Sequence, residues 1–466
     1  MNVNSKVESS SNLHYNRAES PSKEEVLVEN EGLNRGNSQD FYIPKNLDID
    51  TLLENHPLNI PNARSKLIYI LHLINYIPST RKDYDIEGNN GFTPLNRKML
   101  QSVVHDYRKC IDYLITHKVI IESNHYIPSE KSKGIKFTSK YNKKVTPIKV
   151  YNKSLINGIS KKRVYDKETT DKLSYLSKWF NDKLEVDFEP GVKYLMDEYI
   201  KEVNNPTINN PELKLNSRLL PFQRLKRGDF AFFVDKTAGR LHTNLTQIKS
   251  ELRKYISYNG QKLVSIDIIN CQPYLSTALL DDKIYTNSNM NNIYNNTHPN
   301  PIMLVNLINS IKNEKDVIFF RNIVSEGRFY EEYGNLITNN HMDIGNSREL
   351  AKESAFNTLF SANQSIAFKP ELRYFKNAFP NVYKVYSSIK SKKHSILAII
   401  LQKLEAELVL HQACRIISEN RPDIPLFTLH DSIITTENNV GYVKRVFKNV
   451  LKEKLGKEPK FKIEKW

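Results

Sequence analysis

The stretch "LFTLHDSIITT", Leu426 to Thr436, constrains the fold of this chain more than any other. Apolar residues recur with period two on both sides of its centre, the pattern of two half-buried strands. At the centre stand His430, Asp431 and Ser432. Asp-Ser is ordinary turn chemistry, so the stretch reads as a hairpin. A turn alone needs no ionisable pair, and two readings remain: a solvated turn, or a turn that serves a site.

A second stretch has the same character. In "KLVSIDIINCQPYL" a short apolar strand ends at Asp267, five residues before Gln272. An isolated acid at a strand end is usually a loop residue. Two such strands in one sheet, however, would unite carboxylates that lie 164 positions apart. A third stretch is "SRELAKESAFNTLFSAN". Arg348, Lys352, Phe356 and Phe360 recur there at intervals of four, which places them on one face of a helix. That face is either a surface stripe grading into core, or charge for a triphosphate followed by a flat apolar surface for a base.

The 466 residues leave room for two or three domains. With 39% hydrophobic residues the chain is mainly globular. Its net charge of +16 is unevenly spread. Residues 1–60 hold five basic and ten acidic residues, so the remainder carries 63 basic against 42 acidic. A basic body suits a polyanion such as nucleic acid, although ribosome-associated and membrane-surface proteins share this balance. No apolar run reaches the roughly 18–20 residues that span a bilayer, and no signal peptide opens the chain. The expected location is cytoplasmic, nucleoid-associated if the source is bacterial, with no membrane partner. Cys110, Cys271 and Cys414 lie far apart without metal-ligand spacing, which fits a reducing compartment.

Residues 1–58, rich in Ser, Asn and Glu, are expected to be a disordered acidic tail. Over 59–140, "ARSKLIYILHLINYI" and "TPLNRKMLQSVVHDYRKCIDYLITHKV" show helical spacing. "KVIIES" and "GIKFTSKY" follow as short strands around "NHYIPSEKSK". This order looks like a winged helix-turn-helix, with a helix near Asp106 to His117 expected in the major groove of duplex DNA. A winged helix used for protein contacts is the alternative. Residues 141–235 are expected to be helical at "ETTDKLSYLSKWFNDKL" and "PGVKYLMDEYIKEVN", and residues 281–302 to be an exposed Asn-rich loop.

Taken in order, "TAGRLHTNL", "DIINCQP", "RELAKESAFNTLF" and "LHDSI" resemble four motifs of the family-A DNA polymerases, with single-subunit RNA polymerases as cousins. The first looks like the family's T-x-G-R-L-S-S segment, and the second like motif A, D-Y-S-Q-I-E. The third matches motif B, R-x3-K-x3-F-x3-Y, at every interval, with Phe360 where Tyr is usual. The fourth looks like motif C, V-H-D-E. "PKFKIEKW" resembles the family's closing strand, and Gln402 in "AIILQKLEAEL" aligns with the Gln of a further motif that is largely missing.

The resemblance covers roughly residues 215–466. It implies an α+β, right-hand polymerase, with a thumb-like region over 141–235 and palm and fingers over 236–466. The implied activity is template-directed DNA synthesis from dNTPs on a primer-template by a two-metal mechanism. Two Mg2+ ions, with Mn2+ as a substitute, would be held by Asp267, Asp431 and the carbonyl of Ile268. Arg348 and Lys352 would grip the triphosphate, and Lys352 would protonate the leaving pyrophosphate. Phe356 would stack near the sugar and base, with Phe360 beside the templating position. Arg240 and His430 would touch the primer terminus, and Gln402 the minor groove.

Three letters depart from the family. Gln272 replaces the Glu that excludes a 2′-hydroxyl, Phe360 lacks the hydroxyl that pairs with that Glu, and Ser432 gives the HDS form of the RNA polymerases. An RNA polymerase or primer-synthesising enzyme on the same palm is therefore one alternative, and a non-catalytic replication initiator another. The space ahead of residue 215 leaves no room for a proofreading exonuclease, so none is expected. A small replicon or mobile element is the expected setting.

Overall fold

A computed structural model describes residues 38–81, 84–124, 132–162, 171–286, 301–340 and 347–466. They form two units, one of residues 38–271 with 402–466 and one of residues 272–401.

The larger unit begins with β1 (Gln39–Pro44), α1 (Ile49–Asn55), α2 (Ala63–Thr80), β2 (Thr93–Pro94), α3 (Arg97–Val103) and α4 (Tyr107–Thr116). β3 (Ile120–Glu122), β4 (Gly134–Phe137), β5 (Val145–Val150) and α5 (Lys153–Lys162) follow. Every residue of α2 from Leu67 to Ser79 is buried. A helix that is apolar nearly all round belongs at the centre of a core. Its His72 stays satisfied by accepting the Tyr42 N–H at 3.1 Å. Around it lie a sheet of order β2-β4-β3 and the antiparallel ladder β1–β5.

Two expectations need correction here. The acidic tail does not extend to residue 58, because Phe41, Tyr42, Ile43, Leu47 and Ile49 are buried within β1 and α1. Nor does this core end at 140, since Val145, Val150, Leu155 and Ile159 complete it. Both segments look polar as a run, yet most of their apolar residues pack into this core. Residues 1–37 and 125–131, with most of the expected tail and wing, lie outside the described residues, as do 287–300 of the Asn-rich loop.

The unit continues through β6 (Leu184–Val186), α6 (Phe188–Val203), α7 (Pro211–Lys226), β7 (Phe232–Val234), β8 (Leu241–Thr243), β9 (Ile256–Tyr258) and β10 (Gln261–Ile268). The long helix expected over "ETTDKLSYLSKWFNDKL" is instead broken: Ser174–Ser177 is helical, a turn follows, and β6 begins at Leu184. α7 follows helix chemistry closely. Pro211 fills the first turn, Glu212 faces its positive end, and Arg224 and Lys226 face its negative end. α6 approaches it so closely that a Cβ on Gly191 would lie 2.5 Å from the Phe222 ring.

The smaller unit is helical among its described residues: α8 (Pro301–Ile311), α9 (Lys315–Ser325), α10 (Phe329–Asn340), α11 (Ser347–Phe360), α12 (Pro370–Ala378) and α13 (Pro380–Ile389). Phe320, Phe329, Tyr333, Phe375 and Phe379 form its aromatic centre, with Phe320 edge-on to Phe379 at 5.2 Å. Lys390, 3% exposed, donates to the carbonyls of Thr358 at 2.6 Å and Ser361 at 2.9 Å. It thus satisfies carbonyls at the end of α11 that the helix itself leaves open.

Burial pulls the Lys390 ammonium down from 10.5 to about 8. Between these values the unfolded chain holds more protons than the native one, so this lysine makes stability rise with pH across that window. Comparing Lys390→Met with the natural chain by denaturant unfolding from pH 7.5 to 10.5 should show the difference moving toward the natural chain by about 3 kcal/mol. Parallel profiles would refute this assignment.

The chain returns to the larger unit along α14 (Ser395–Ala406), which continues as a π-helical stretch, Glu407–Cys414. β11 (Phe427–Leu429), β12 (Ser432–Thr436), α15 (Val440–Leu455) and β13 (Phe461–Lys465) close it. The central sheet runs β11-β12-β10-β9-β6, with β13 also paired to β10. Residues 272–401 are thus inserted in sequence between the two halves of one sheet. No helix among the described residues is long and apolar enough to cross a membrane.

Candidate active site

Leu429 pairs with Ser432 across the β11–β12 hairpin, leaving His430 and Asp431 as a two-residue turn. His430 sits at φ +54°, a left-handed conformation that non-glycine residues rarely adopt. The Ser432 hydroxyl, 2% exposed, donates to the Leu429 carbonyl at 2.9 Å. Ser432 therefore closes the turn. A glutamate at this buried position would bring an unpaired charge.

β10 brings Asp267 alongside. Asp267 pairs with Ser432 on one side and with Lys462 of β13 on the other. Asp267, on β10, and Asp431, in the turn that leads into β12, thus lie one residue out of register on neighbouring segments. Ser265 donates its hydroxyl to Asp267 at 2.8 Å.

The surroundings of Asp431 are unfavourable to its charge. Burial, then Glu405, and more weakly Asp267, push its carboxyl from 3.8 up to about 7, despite a hydrogen bond from the Cys271 thiol. Burial, followed by Asp431 and Glu405, pushes that thiol well above its ordinary value, so it remains protonated and donates. Glu405, 1% exposed, lies on the last turn of α14.

Arg240 holds Glu405 in a two-point grip, Nε to Oε1 at 2.9 Å and Nη2 to Oε2 at 2.7 Å. Burial opposes the Arg240 charge, but Glu405 outweighs it and raises the guanidinium pKa. The loop ahead of β8 aims this arginine. Asp235 accepts the N–H groups of Thr237, Ala238 and Arg240 at 3.0, 2.6 and 2.9 Å. Gly239, at φ +70°, completes the turn in a conformation suited to glycine. His242 stacks on Phe233 at 4.8 Å and meets the His430 ring edge-on at 5.8 Å.

Of the residues expected at a site, Asp267, Ile268, Asp431, His430, Arg240 and Gln402 all belong to this larger unit. Arg240 was expected at a primer terminus; here its fork is taken by Glu405. Gln402 lies one turn before Glu405 on α14. Gln272 begins the smaller unit, which also carries the α11 face. On that face Arg348 and Lys352 are exposed and Phe356 and Phe360 partly exposed, their rings 5.4 Å apart. Arg348 meets Glu331 at 2.8 Å and lies over the Tyr330 ring. The opposite face is buried through Ala351, Ser354, Ala355, Thr358 and Leu359.

Sequence reading passed over Glu405 and Cys271. Glu405 had a legible signal: an acid that shares a helix face with Leu401, Leu404 and Leu408 must find a buried partner. Cys271 had none, because a lone cysteine near a strand end predicts nothing.

Among the described residues no group of three or more His, Cys, Asp and Glu side chains is arranged to hold a metal ion. The donor set at the turn is two hard carboxylates. Magnesium bound by one or two carboxylates plus substrate phosphates fits such a set. The raised Asp431 carboxyl fits too, since a divalent cation supplies the positive charge this acid lacks.

No family model matches the chain. No curated protein is similar to it. Among solved structures it is similar to the POL domain of Pol1 from M. smegmatis in complex with DNA primer-template and dNTP. That likeness has 9% identity and a TM-score of 0.40, over 84% of this chain and 81% of that one. Likeness of this degree carries no weight on fold or function.

Proposed function

We propose that the protein is a template-directed DNA polymerase of the family-A kind, with palm and fingers over 236–466. The observation that carries this reading is the pair Asp267 on β10 and Asp431 in the turn before the neighbouring β12, with Asp431 short of counter-charge. The order of the four sequence motifs and the cation-then-aromatic face of α11 support it.

Asp267, Asp431 and the Ile268 carbonyl would hold two Mg2+ ions, or Mn2+ in their place, which supply charge for activating the primer 3′-hydroxyl and stabilising pyrophosphate. Arg348 and Lys352 grip the triphosphate, and Lys352 gives a proton to the departing pyrophosphate oxygen. Phe356 stacks on the nucleotide and Phe360 beside the templating base. Gln272 acts as the gate against a 2′-hydroxyl. Gln402 reads the minor groove, His430 contacts the primer end, and Arg240 joins it there while fixing Glu405. Proofreading is absent in this reading, and a small replicon is its setting.

We also read the segment from α2 to β4 as a winged helix that docks on duplex DNA through α4. The element order and the sheet order β2-β4-β3 support this. Arg108, Lys109, Asp112 and Thr116 form the exposed face of α4. Part of that charge is committed, since Arg108 bonds Asp112 at 2.6 Å and Glu122 at 3.2 Å.

The experiment is primer extension on a primed template with Mg2+, using dNTPs and rNTPs in parallel. Only the complementary dNTP should be added. Equal use of rNTPs would favour the RNA-making reading that Gln272, Phe360 and Ser432 leave open. No addition of either would remove the enzymatic reading. Lys352→Ala should lower the rate of addition by about 10²–10⁴-fold, the range for loss of a general acid.

A further inference from the structure

A second site lies in the larger unit, away from the carboxylate pair. The end of α2, the loop after it, α7 and the segment after the helical turn Asn244–Gln247 enclose a cleft of about 210 Å3. Four cations line it: Arg81, Lys214, Arg218 and Lys249. Lys214 and Arg218 are four apart on α7 and so share a face.

The acids near the cleft are largely committed to holding its walls. Glu87 meets Lys214 at 3.1 Å and also accepts from Asn209 and Asn210. Asp85 accepts the Gly88 N–H at 2.8 Å, which shapes the loop. Arg218 meets Glu202 at 2.7 Å. Lys249 makes no ion pair among the described residues. Burial, then the neighbouring Arg218, holds its ammonium below the ordinary range.

Gln247 provides an independent observation. It borders the cleft, is 8% exposed, and neither its amide nitrogen nor its amide oxygen has a hydrogen-bond partner. Leaving a buried amide without partners is unfavourable. That cost is offset if a ligand supplies the missing partners.

We propose that this cleft binds the phosphate monoester of a nucleotide, either free or at the 5′ end of a strand. Glu87 and Glu202 are committed to Lys214 and Arg218, which leaves Lys249, beside the amide of Gln247, as the cation that meets a ligand. The terminal oxygens of a phosphate monoester accept from an ammonium and an amide together more freely than those of a phosphodiester within a strand. A recess of about 210 Å3 is sized for an end group, which admits a terminus more readily than a continuous strand. Gln247 offers a donor and an acceptor to the same ligand.

Equilibrium binding to the full chain tests this with three probes: a 5′-phosphorylated single-stranded oligonucleotide, the same oligonucleotide with a 5′-hydroxyl, and a nucleoside 5′-monophosphate. The phosphorylated strand should bind about tenfold or more tightly than the hydroxyl form, the worth of one charge-assisted hydrogen bond. Lys249→Gln should abolish that preference, Gln247→Leu should weaken it, and Lys249→Arg should keep it. Competition by the monophosphate identifies a free nucleotide as a source, and its failure to compete identifies the strand end. Asp431→Asn should leave the preference intact, so this site and the proposed polymerase site can fail separately. Equal binding of both oligonucleotides, or a preference that survives Lys249→Gln, overturns the proposal.

Discussion

Replacing Asp431 with Asn should abolish primer extension and, at the same time, stabilise the fold above neutral pH. The two effects share one cause. The folded chain holds the Asp431 carboxyl at about 7, against 3.8 ordinarily. Between these values the native state binds more protons than the unfolded chain, so this group makes stability fall as pH rises from 4 to 7. Above 7 the full cost applies, about 4 kcal/mol by the size of the shift. Asparagine keeps the shape and removes the charge. Thermal unfolding at pH 8 should show a higher Tm for Asp431→Asn, with the advantage vanishing near pH 4. Adding Mg2+ should raise the Tm of the natural chain and not that of the variant, by the linkage of ligand to fold. A lower Tm for the variant at both pH values would mean that Asp431 is a structural turn residue. Catalytic sites that store such strain commonly trade stability for activity.

The second large effect concerns Glu405 and Arg240. Their side chains are 2% and 21% exposed and joined at two points. Removing one partner leaves the other buried without its counter-charge. Glu405→Ala should therefore cost about 3–5 kcal/mol, partly offset because Asp431 then ionises more easily. Glu405→Leu combined with Arg240→Met should recover most of that loss, since an apolar pair of similar volume carries no desolvation cost. Denaturant unfolding of both singles and the double gives the coupling energy. Additive effects would show that the two charges are not energetically joined. If Arg240 also reaches a primer end, the double variant should fold well and yet extend primers poorly.

How much of this was legible in the sequence depends on the kind of signal. The hairpin over Leu426–Thr436, the strand ending at Asp267 and the α11 face were readable because periodicity reports burial directly. The β11–β12 turn falls on His430 and Asp431, where the alternation breaks. The boundary of the N-terminal core was not readable. Phe41, Tyr42 and Ile43 are three consecutive buried residues in polar surroundings, and such a short run cannot be told from a loop until β5 pairs with it. The helix expected after residue 168 failed because Leu184 and Val186 are taken by pairing with β9, where tertiary contacts override local propensity. Ser432 was legible as a departure from the family's motif, and the closure of the turn by its hydroxyl was not. Glu405 shows the limit most clearly. Its charge was visible in the sequence, but its partner Arg240 lies 165 residues away and only the fold joins them.

The central claim is that Asp267 and Asp431 act together in nucleotide addition. Asp267 tests it most directly, because it is partly exposed and its replacement carries less consequence for the fold than that of Asp431. Single-nucleotide primer extension with Mg2+ should be compared for the natural chain and Asp267→Asn, after circular dichroism shows both folded. The account predicts that the variant loses addition by about a thousandfold or more, the scale expected when a group stabilising transition-state charge is removed. Addition by Asp267→Asn at the rate of the natural chain would contradict it.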